Sequence, residues 1–346
     1  MTTSLSRREF LKLGSLGVGG SLLAPVFPPD EEAPFERPTL GRVTTTQVSV
    51  FSQPNDGSRI VRQLFRDRIV PIFEELTPPS GPAWNPHWYR IWGGYVHSAH
   101  IQLVHVRRQP VVESLPEGGW LGEITVPYSD TRTYSQFDGW RPVYRLYHQT
   151  THWVTGLVEG PDRTPWYELL DELDSARYYV PAIHVRLIPA EELAPISPDV
   201  PPGEKRIEVD ISRQTLTAFE AGEPVLFARA ATGIRSSIIT NGLPTETPKG
   251  EFNIASKYPS KHMGEARLTD NLEDYVLVGV PWTAFFDPRG YAIHGAFWHN
   301  NFGVPMSRGC VNLKIEEAKW LFRWMTPQHS VQDVYTPGFG TKVTIF

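Results

Sequence analysis

The chain has 346 residues, 40% hydrophobic and 12% aromatic with eleven tryptophans, which excludes a disordered chain and asks for two or three domains. Its formal net charge of −5 argues against nucleic acid as a partner, which would need a basic face. The single cysteine excludes an internal disulfide and leaves one free thiol to be explained.

At the N-terminus, Arg7-Arg8 precedes a weakly apolar, glycine-rich run from Leu13 to Phe27. This resembles a twin-arginine export signal, which implies an exported, extracytoplasmic, cell-wall-associated protein. The apolar run is about fifteen residues, short of the roughly twenty that span a membrane. Leu23-Ala24-Pro25 is a poor cleavage junction, so removal of the segment and its retention as a membrane anchor both stay open. Residues 1–27 are expected to be the signal and the Pro- and acid-rich residues 28–41 a tether.

Residues 42–106 read as short strands punctuated by turns, among them Gln53-Pro54-Asn55-Asp56-Gly57. Trp88-Tyr89-Arg90-Ile91 followed by Gly94-Tyr95-Val96 resembles the last strands of a bacterial SH3-like domain. Residues 107–188 repeat the pattern: Trp166-Tyr167-Glu168-Leu169, then Tyr179-Val180, then His184. The tyrosine-to-histidine offset is five in both copies, since Tyr95 precedes His100 as Tyr179 precedes His184. The aromatics suit either a ligand platform or the core of a small barrel, with core expected for most. His100 and His184 are expected within strands. Pro189 to Pro202 suggests a second, semi-rigid linker at 189–203.

Residues 204–346 open with Lys205 to Ile211, a strict polar–apolar alternation that predicts a half-buried strand in a meander. Thr247-Pro248-Lys249-Gly250-Glu251-Phe252 reads as a turn, because Pro fixes φ and Gly supplies conformations other residues avoid. Ser256 to Leu272 shows no strand periodicity. Ile315 to Met325 has helical spacing at Ala318, Leu321, Phe322 and Met325, and Lys342 to Phe346 predicts a last strand.

Between them lies His294 to Leu313, in which Cys310 follows His294 by sixteen residues. A thiol attacks only as its thiolate, so a neighbouring histidine or positive field separates a nucleophile from a small buried hydrophobe. Gly309, directly before the thiol, lets the backbone turn and aim N–H groups at a developing oxyanion.

The segment 204–346 resembles the L,D-transpeptidase catalytic domain (the YkuD-like family) on two motifs. One is Thr247 to Phe252; the other is His294-Gly295 followed by Ser307-Arg308-Gly309-Cys310-Val311-Asn312. It departs at Arg308, where the family most often has histidine. The resemblance implies Cys310 as nucleophile, His294 as base oriented through the Gly295 carbonyl, and backbone N–H groups near Gly309 and Cys310 as oxyanion donors. It places Ser307 and Asn312 on the donor peptide, His299 in the loop and in contact with substrate, and His262 and Met263 in a flap over the site. Arg308 is read either as the partner of a substrate carboxylate or as a solvated loop residue.

The implied reaction is peptidoglycan cross-linking through a cysteine thioester on stem peptides, joining third-position residues, with carbapenems as covalent inhibitors and no cofactor. Water as acceptor would make an L,D-carboxypeptidase, and another amine a protein-attaching transpeptidase. A non-catalytic wall-binding protein relying on its SH3-like modules is the rival from another class. A metal site of His262, His294 and His299 is set aside, since zinc sites show tighter pairs or a carboxylate partner. The fold expected is mainly β: two small SH3-like barrels, then a β-sandwich or barrel-like catalytic domain with short helices.

Overall fold

The computed structural model describes residues 39–79, 81–235, 239–240 and 243–346. The expected export signal and most of the first linker lie outside the described residues. The linker's expected end at 41 is corrected, because Thr39–Val43 is already a strand. Its Arg42 defeats the hydrophobic pattern: the side chain is buried and paired with Asp67 at 2.8 Å.

The chain is mainly β, and its first two modules share one strand pairing. In the first, Thr39–Val43 lies between Ile69–Ile72 and Ile101–Val104. A second sheet runs Ile60–Phe65, Gln47–Phe51, Gly94–His97, Trp88–Ile91, Glu74–Leu76. In the second module, Trp120–Ile124 likewise lies between Thr151–Glu159 and Val185–Leu187, and Tyr128–Ser135 between Gly139–Tyr147 and Arg177–Pro181. Pro165–Leu170 then joins Arg177–Pro181 to Thr151–Glu159. That long strand passes through a bulge at Val154/Gly156 and unites the module in one seven-stranded sheet. Its counterpart in the first module is broken at Phe73, which leaves two sheets. A bulge bends a strand without ending it, so one topology appears in two forms.

Neither set of strands closes into a barrel among the described residues. Of the repeat's aromatics, Trp88, Tyr89, Trp166 and Tyr167 are buried in the module interiors, while Tyr95 and Tyr179 are half-buried. His100 and His184 end short 3-10 turns, Ser98–His100 and Ala182–His184, rather than sitting in strands.

The C-terminal domain packs two five-stranded sheets. One runs Glu223–Arg229, Thr215–Glu220, Lys205–Asp210, Lys342–Ile345, Gly250–Asn253. The terminal strand thus lies inside the sheet, parallel to Lys205–Asp210. The other runs Val311–Leu313, Ala292–Gly295, Val276–Phe285, Ser256–Gly264, Thr336–Pro337. Ile207, Val209, Leu216, Val280, Ile293 and Val311 fill the space between them.

The helix Ile315–Trp324 adds Ala318, Leu321 and Phe322 to that core. Carbonyls at its C-terminal end are met by two buried lysines: Lys205 Nζ donates to Trp324 O at 3.0 Å and Lys257 Nζ to Met325 O at 3.0 Å. Positive charge is favoured there by the helix dipole. Burial nevertheless pulls Lys257 down to about 7.

Two expectations are corrected. Ser256–Gly264 is a nine-residue strand. Its buried positions are Lys257, Pro259 and His262, so no apolar alternation announces it. Residues 189–203, expected as a semi-rigid linker between domains, pack against the C-terminal domain. Leu193 enters the core, Ile196 N donates to Arg323 O at 3.1 Å, and Arg323 Nε donates to Ala194 O at 2.8 Å.

Candidate active site

His294 and Cys310 are brought together by a parallel strand pair. Ala292–Gly295 and Val311–Leu313 are parallel neighbours, with Ile293 opposite Val311 and His294 opposite Asn312. Parallel neighbours cannot be joined by a tight turn and need a crossover of a dozen or more residues. Residues 296–310 are that crossover. The sixteen-residue spacing is thus set by sheet topology.

The turn before the thiol is locked from three sides. Ser307 Oγ donates to Cys310 O at 2.5 Å and accepts the Gly309 N–H at 3.1 Å. Thr247 Oγ1 donates to Gly309 O at 2.8 Å while accepting Gly233 N–H at 2.8 Å. Gly309 has φ +114°, and a Cβ there would stand 2.2 Å from the Tyr291 ring, so no other residue fits. The Thr-Pro motif, legible in the sequence as a turn, therefore also clamps the nucleophile loop. Thr247→Val would strand a buried N–H and a buried carbonyl. It is expected to lower unfolding stability by about 1–3 kcal/mol and slow acylation, checked by urea denaturation beside a labelling rate.

The Gly309 amide is spent on Ser307 and is not free for an oxyanion, which corrects that part of the expectation. The Cys310 amide has no protein acceptor among the described residues and remains the candidate donor.

His294 is 2% exposed, and its Nδ1 lies 3.1 Å from Gly295 O. A carbonyl only accepts, so Nδ1 carries the proton and Nε2 keeps its lone pair. Burial pulls the imidazole down to about 4, against a smaller opposing effect of that bond. Cys310 is half-buried, with Sγ 3.9 Å from Gly290 O. Desolvation pushes the thiol up to about 11, partly offset by a hydrogen bond with the Ala292 backbone. At neutral pH the resting site holds a neutral thiol and a neutral base. Thiolate absorbance is accordingly expected to be absent at neutral pH and to grow only as pH rises toward about 11. An ultraviolet pH titration checks this, and a plateau already present near neutrality would reveal a preformed ion pair.

The remaining predicted site residues are placed unevenly. Asn312 is fully buried, and its amide meets His299 Nε2 at 2.9 Å. His299, 3% exposed, accepts Asn301 N–H at its Nδ1 at 3.2 Å, so its Nε2 carries the proton and is the donor toward the Asn312 side chain. Burial first, then His100 and His294, pull it down to about 3. This pair braces the crossover from inside instead of facing a donor peptide. His262 is corrected as well: it faces the second module, with Nδ1 2.6 Å from Asp171 Oδ2, and both side chains are buried. Met263 turns the other way, packs on the C-terminal core and pairs with Leu277. Arg308 is exposed and lies 4.0 Å over the Tyr275 ring. Stacking occupies the guanidinium face, and its in-plane donors have no hydrogen-bond partner among the described residues. Among the described residues, no three His, Cys, Asp or Glu side chains converge as a metal site.

Sequence reasoning found no role for Asn300 and Asn301, yet they dock the crossover on the first module. Asn85 Nδ2 donates to Asn300 O at 3.0 Å and to Asn301 Oδ1 at 3.2 Å, and Asn300 N donates to Ala99 O at 2.7 Å. Arg42 Nη2 donates to Phe297 O at 3.0 Å from a buried network that includes Asp67 and Gln102. The loop that carries the thiol is thus held by a module more than two hundred residues earlier. Nothing local in the sequence signals these contacts.

Residues 204–345 match the profile of the YkuD L,D-transpeptidase catalytic domain. No curated protein matches the chain. Among solved structures, it aligns with the L,D-transpeptidase (residues 123–326) from Xylanimonas cellulosilytica at 24% identity, over 41% of this chain, with a TM-score of 0.30. The chain spans 60% of that structure's length. The catalytic domain of the E. faecium L,D-transpeptidase aligns at 22% identity over 41% of this chain and 96% of its own, with a TM-score of 0.30. The LD transpeptidase LdtMt1 in complex with imipenem aligns at 18% identity over 59% and 93%, with a TM-score of 0.31. From residue 204 to residue 345 the chain is an L,D-transpeptidase catalytic domain of the YkuD family.

Proposed function

We propose that the protein is a peptidoglycan L,D-transpeptidase acting through a thioester on Cys310. His294 Nε2 takes the thiol proton as sulfur attacks the carbonyl between the diamino acid and the terminal D-alanine of a stem peptide. The oxyanion develops toward the Cys310 amide. Collapse of the tetrahedral intermediate breaks the peptide bond, and the departing D-alanine amine takes the proton from His294. The amine of a neighbouring stem then attacks the thioester and gives up its proton to His294. The thiol is regenerated with a cross-link between two third-position residues. Arg308, stacked on Tyr275, turns its guanidinium edge to a substrate carboxylate.

The observation that carries this reading is the hydrogen bond from His294 Nδ1 to Gly295 O, which reserves Nε2 as a base on the strand beside the thiol. The test is intact-protein mass spectrometry after incubation with a carbapenem, followed by peptide mapping. One covalent adduct, on the peptide containing Cys310, is expected. An unmodified thiol in correctly folded protein would sink the reading.

The proposal extends to the rest of the chain. Residues 1–27 export it by the twin-arginine route, and the two shared-topology modules are SH3-like units working at the cell wall.

A further inference from the structure

A cavity of about 640 Å³ lies between the first module and the crossover, and neither Cys310 nor His294 lines it. Its size falls within the roughly 300–1,000 Å³ of small-ligand sites. Two exposed aromatic side chains line it without an aromatic partner among the described residues: Trp84, 47% exposed, and Phe227, 66% exposed. Large apolar faces left open to water beside a cavity are the kind of surface a ligand covers.

The polar groups around them already engage one another. His87 Nδ1 lies 2.7 Å from Glu75 Oε1, Arg229 Nη1 donates to Trp84 O at 2.7 Å, and Gln149 Nε2 donates to Glu316 Oε1 at 3.0 Å. The lining also carries two cations, Arg229 and Lys314, against three carboxylates, Glu75, Glu316 and Glu317, so it offers hydrogen bonds with charge of both signs. A strongly ionic ligand finds no dominant counter-charge, and a purely apolar one would desolvate these groups while offering nothing to their remaining donors and acceptors.

We propose that this cavity is a carbohydrate subsite, in which the apolar faces of sugar rings stack on Trp84 and Phe227 while hydroxyl and acetamido groups meet the polar wall. The choice of sugar rests on the peptidoglycan reading: the ligand is the amino-sugar glycan strand that bears the stem peptides. Its placement suits that task, because Asn300 and His299 belong both to the cavity wall and to the crossover holding the thiol. A glycan strand seated there would be anchored against the loop that works on its peptide.

The test is isothermal titration calorimetry of the full chain with a peptide-free tetrasaccharide of alternating N-acetylglucosamine and N-acetylmuramic acid. Saturable binding is expected, and Trp84→Ala and Phe227→Ala should each weaken it by about tenfold with unchanged thermal melting. Both side chains are exposed, so neither variant removes core. No heat of binding, or binding that both variants leave intact, overturns the proposal. Carbapenem labelling of the same samples separates the two readings. Labelling without glycan binding removes only the subsite, and aromatic-dependent glycan binding without labelling removes only the transpeptidase chemistry.

Discussion

Cys310→Ala is expected to abolish carbapenem acylation outright, with a thermal melting curve that overlays the wild type. The half-buried thiol contacts only backbone, Gly290 O at 3.9 Å and that of Ala292, while the turn around it is held by Ser307 and Thr247 acting on backbone atoms that alanine retains. His294→Gln in the same assay is expected to slow acylation by roughly 10²–10⁴-fold, the usual contribution of a positioned general base. Glutamine can still donate to a carbonyl but has no basic nitrogen. The resting thiol sits at about 11, so without a base almost none of it is thiolate at neutral pH. The pH profile supplies a second readout. With His294 at about 4, wild-type acylation should hold as pH falls through the weakly acidic range and fail only near about 4, where Nε2 is protonated. A rate in His294→Gln equal to the wild type would remove the imidazole from the mechanism.

Asp171→Ala is expected to destabilise the protein by about 3–5 kcal/mol, the cost of removing one partner from a buried ion pair. His262 Nδ1 lies 2.6 Å from Asp171 and Nε2 lies 3.1 Å from Glu265 O. Both partners only accept, so both ring nitrogens carry protons and the ring is an imidazolium. Burial alone would lower its pKa, but Asp171 outweighs burial and the net shift is upward from 6.5. Asp171 is lowered from 3.8: burial opposes the shift, and hydrogen bonds from His262 and Leu173 overcome it.

The linkage has a definite sign. The histidine's contribution is complete below 6.5 and is lost as pH rises through its higher folded value. The aspartate's is complete above 3.8 and is lost as pH falls through its lower folded value. Stability conferred by the pair is therefore greatest between those two ordinary values. Urea denaturation across pH should show that maximum in the wild type and a flatter profile in Asp171→Ala. An unchanged midpoint in the variant would show that the strand Ser256–Gly264 is held to the second module without this pair. Lys261 with Glu172 at 2.7 Å, His262 N–H donating to Glu172 Oε1 at 2.7 Å, Ser260 Oγ donating to Thr151 O at 2.5 Å and Thr151 Oγ1 donating to Pro259 O at 2.7 Å are further polar ties there.

What could be read from the chain follows a physical division. Cys310, His294 and Gly309 stood out because their requirements are local: a thiol, a ring and a backbone angle at fixed spacing. The repeat was legible because each copy fills its core with the same aromatics, and the tertiary pairing follows the same order. Lys205 to Ile211 and Ile315 to Trp324 announced themselves by period, since each buries one apolar face.

Ser256–Gly264 did not, because Lys257 and His262 occupy inward positions and are satisfied by carbonyls and a carboxylate that lie far away in sequence. The same holds for Arg42, Asn85, Asn300 and Asn301. A buried polar side chain is stable only if its partner is in place, and where that partner comes from is a property of the folded whole. The sequence by itself determined the chemistry available at Cys310 and the spacing that delivers it. The tertiary structure alone decided that the first module clamps the crossover, that the second module holds the strand Ser256–Gly264, and that His262, His299 and Asn312 face inward. Those contacts join residues with no local periodicity in common.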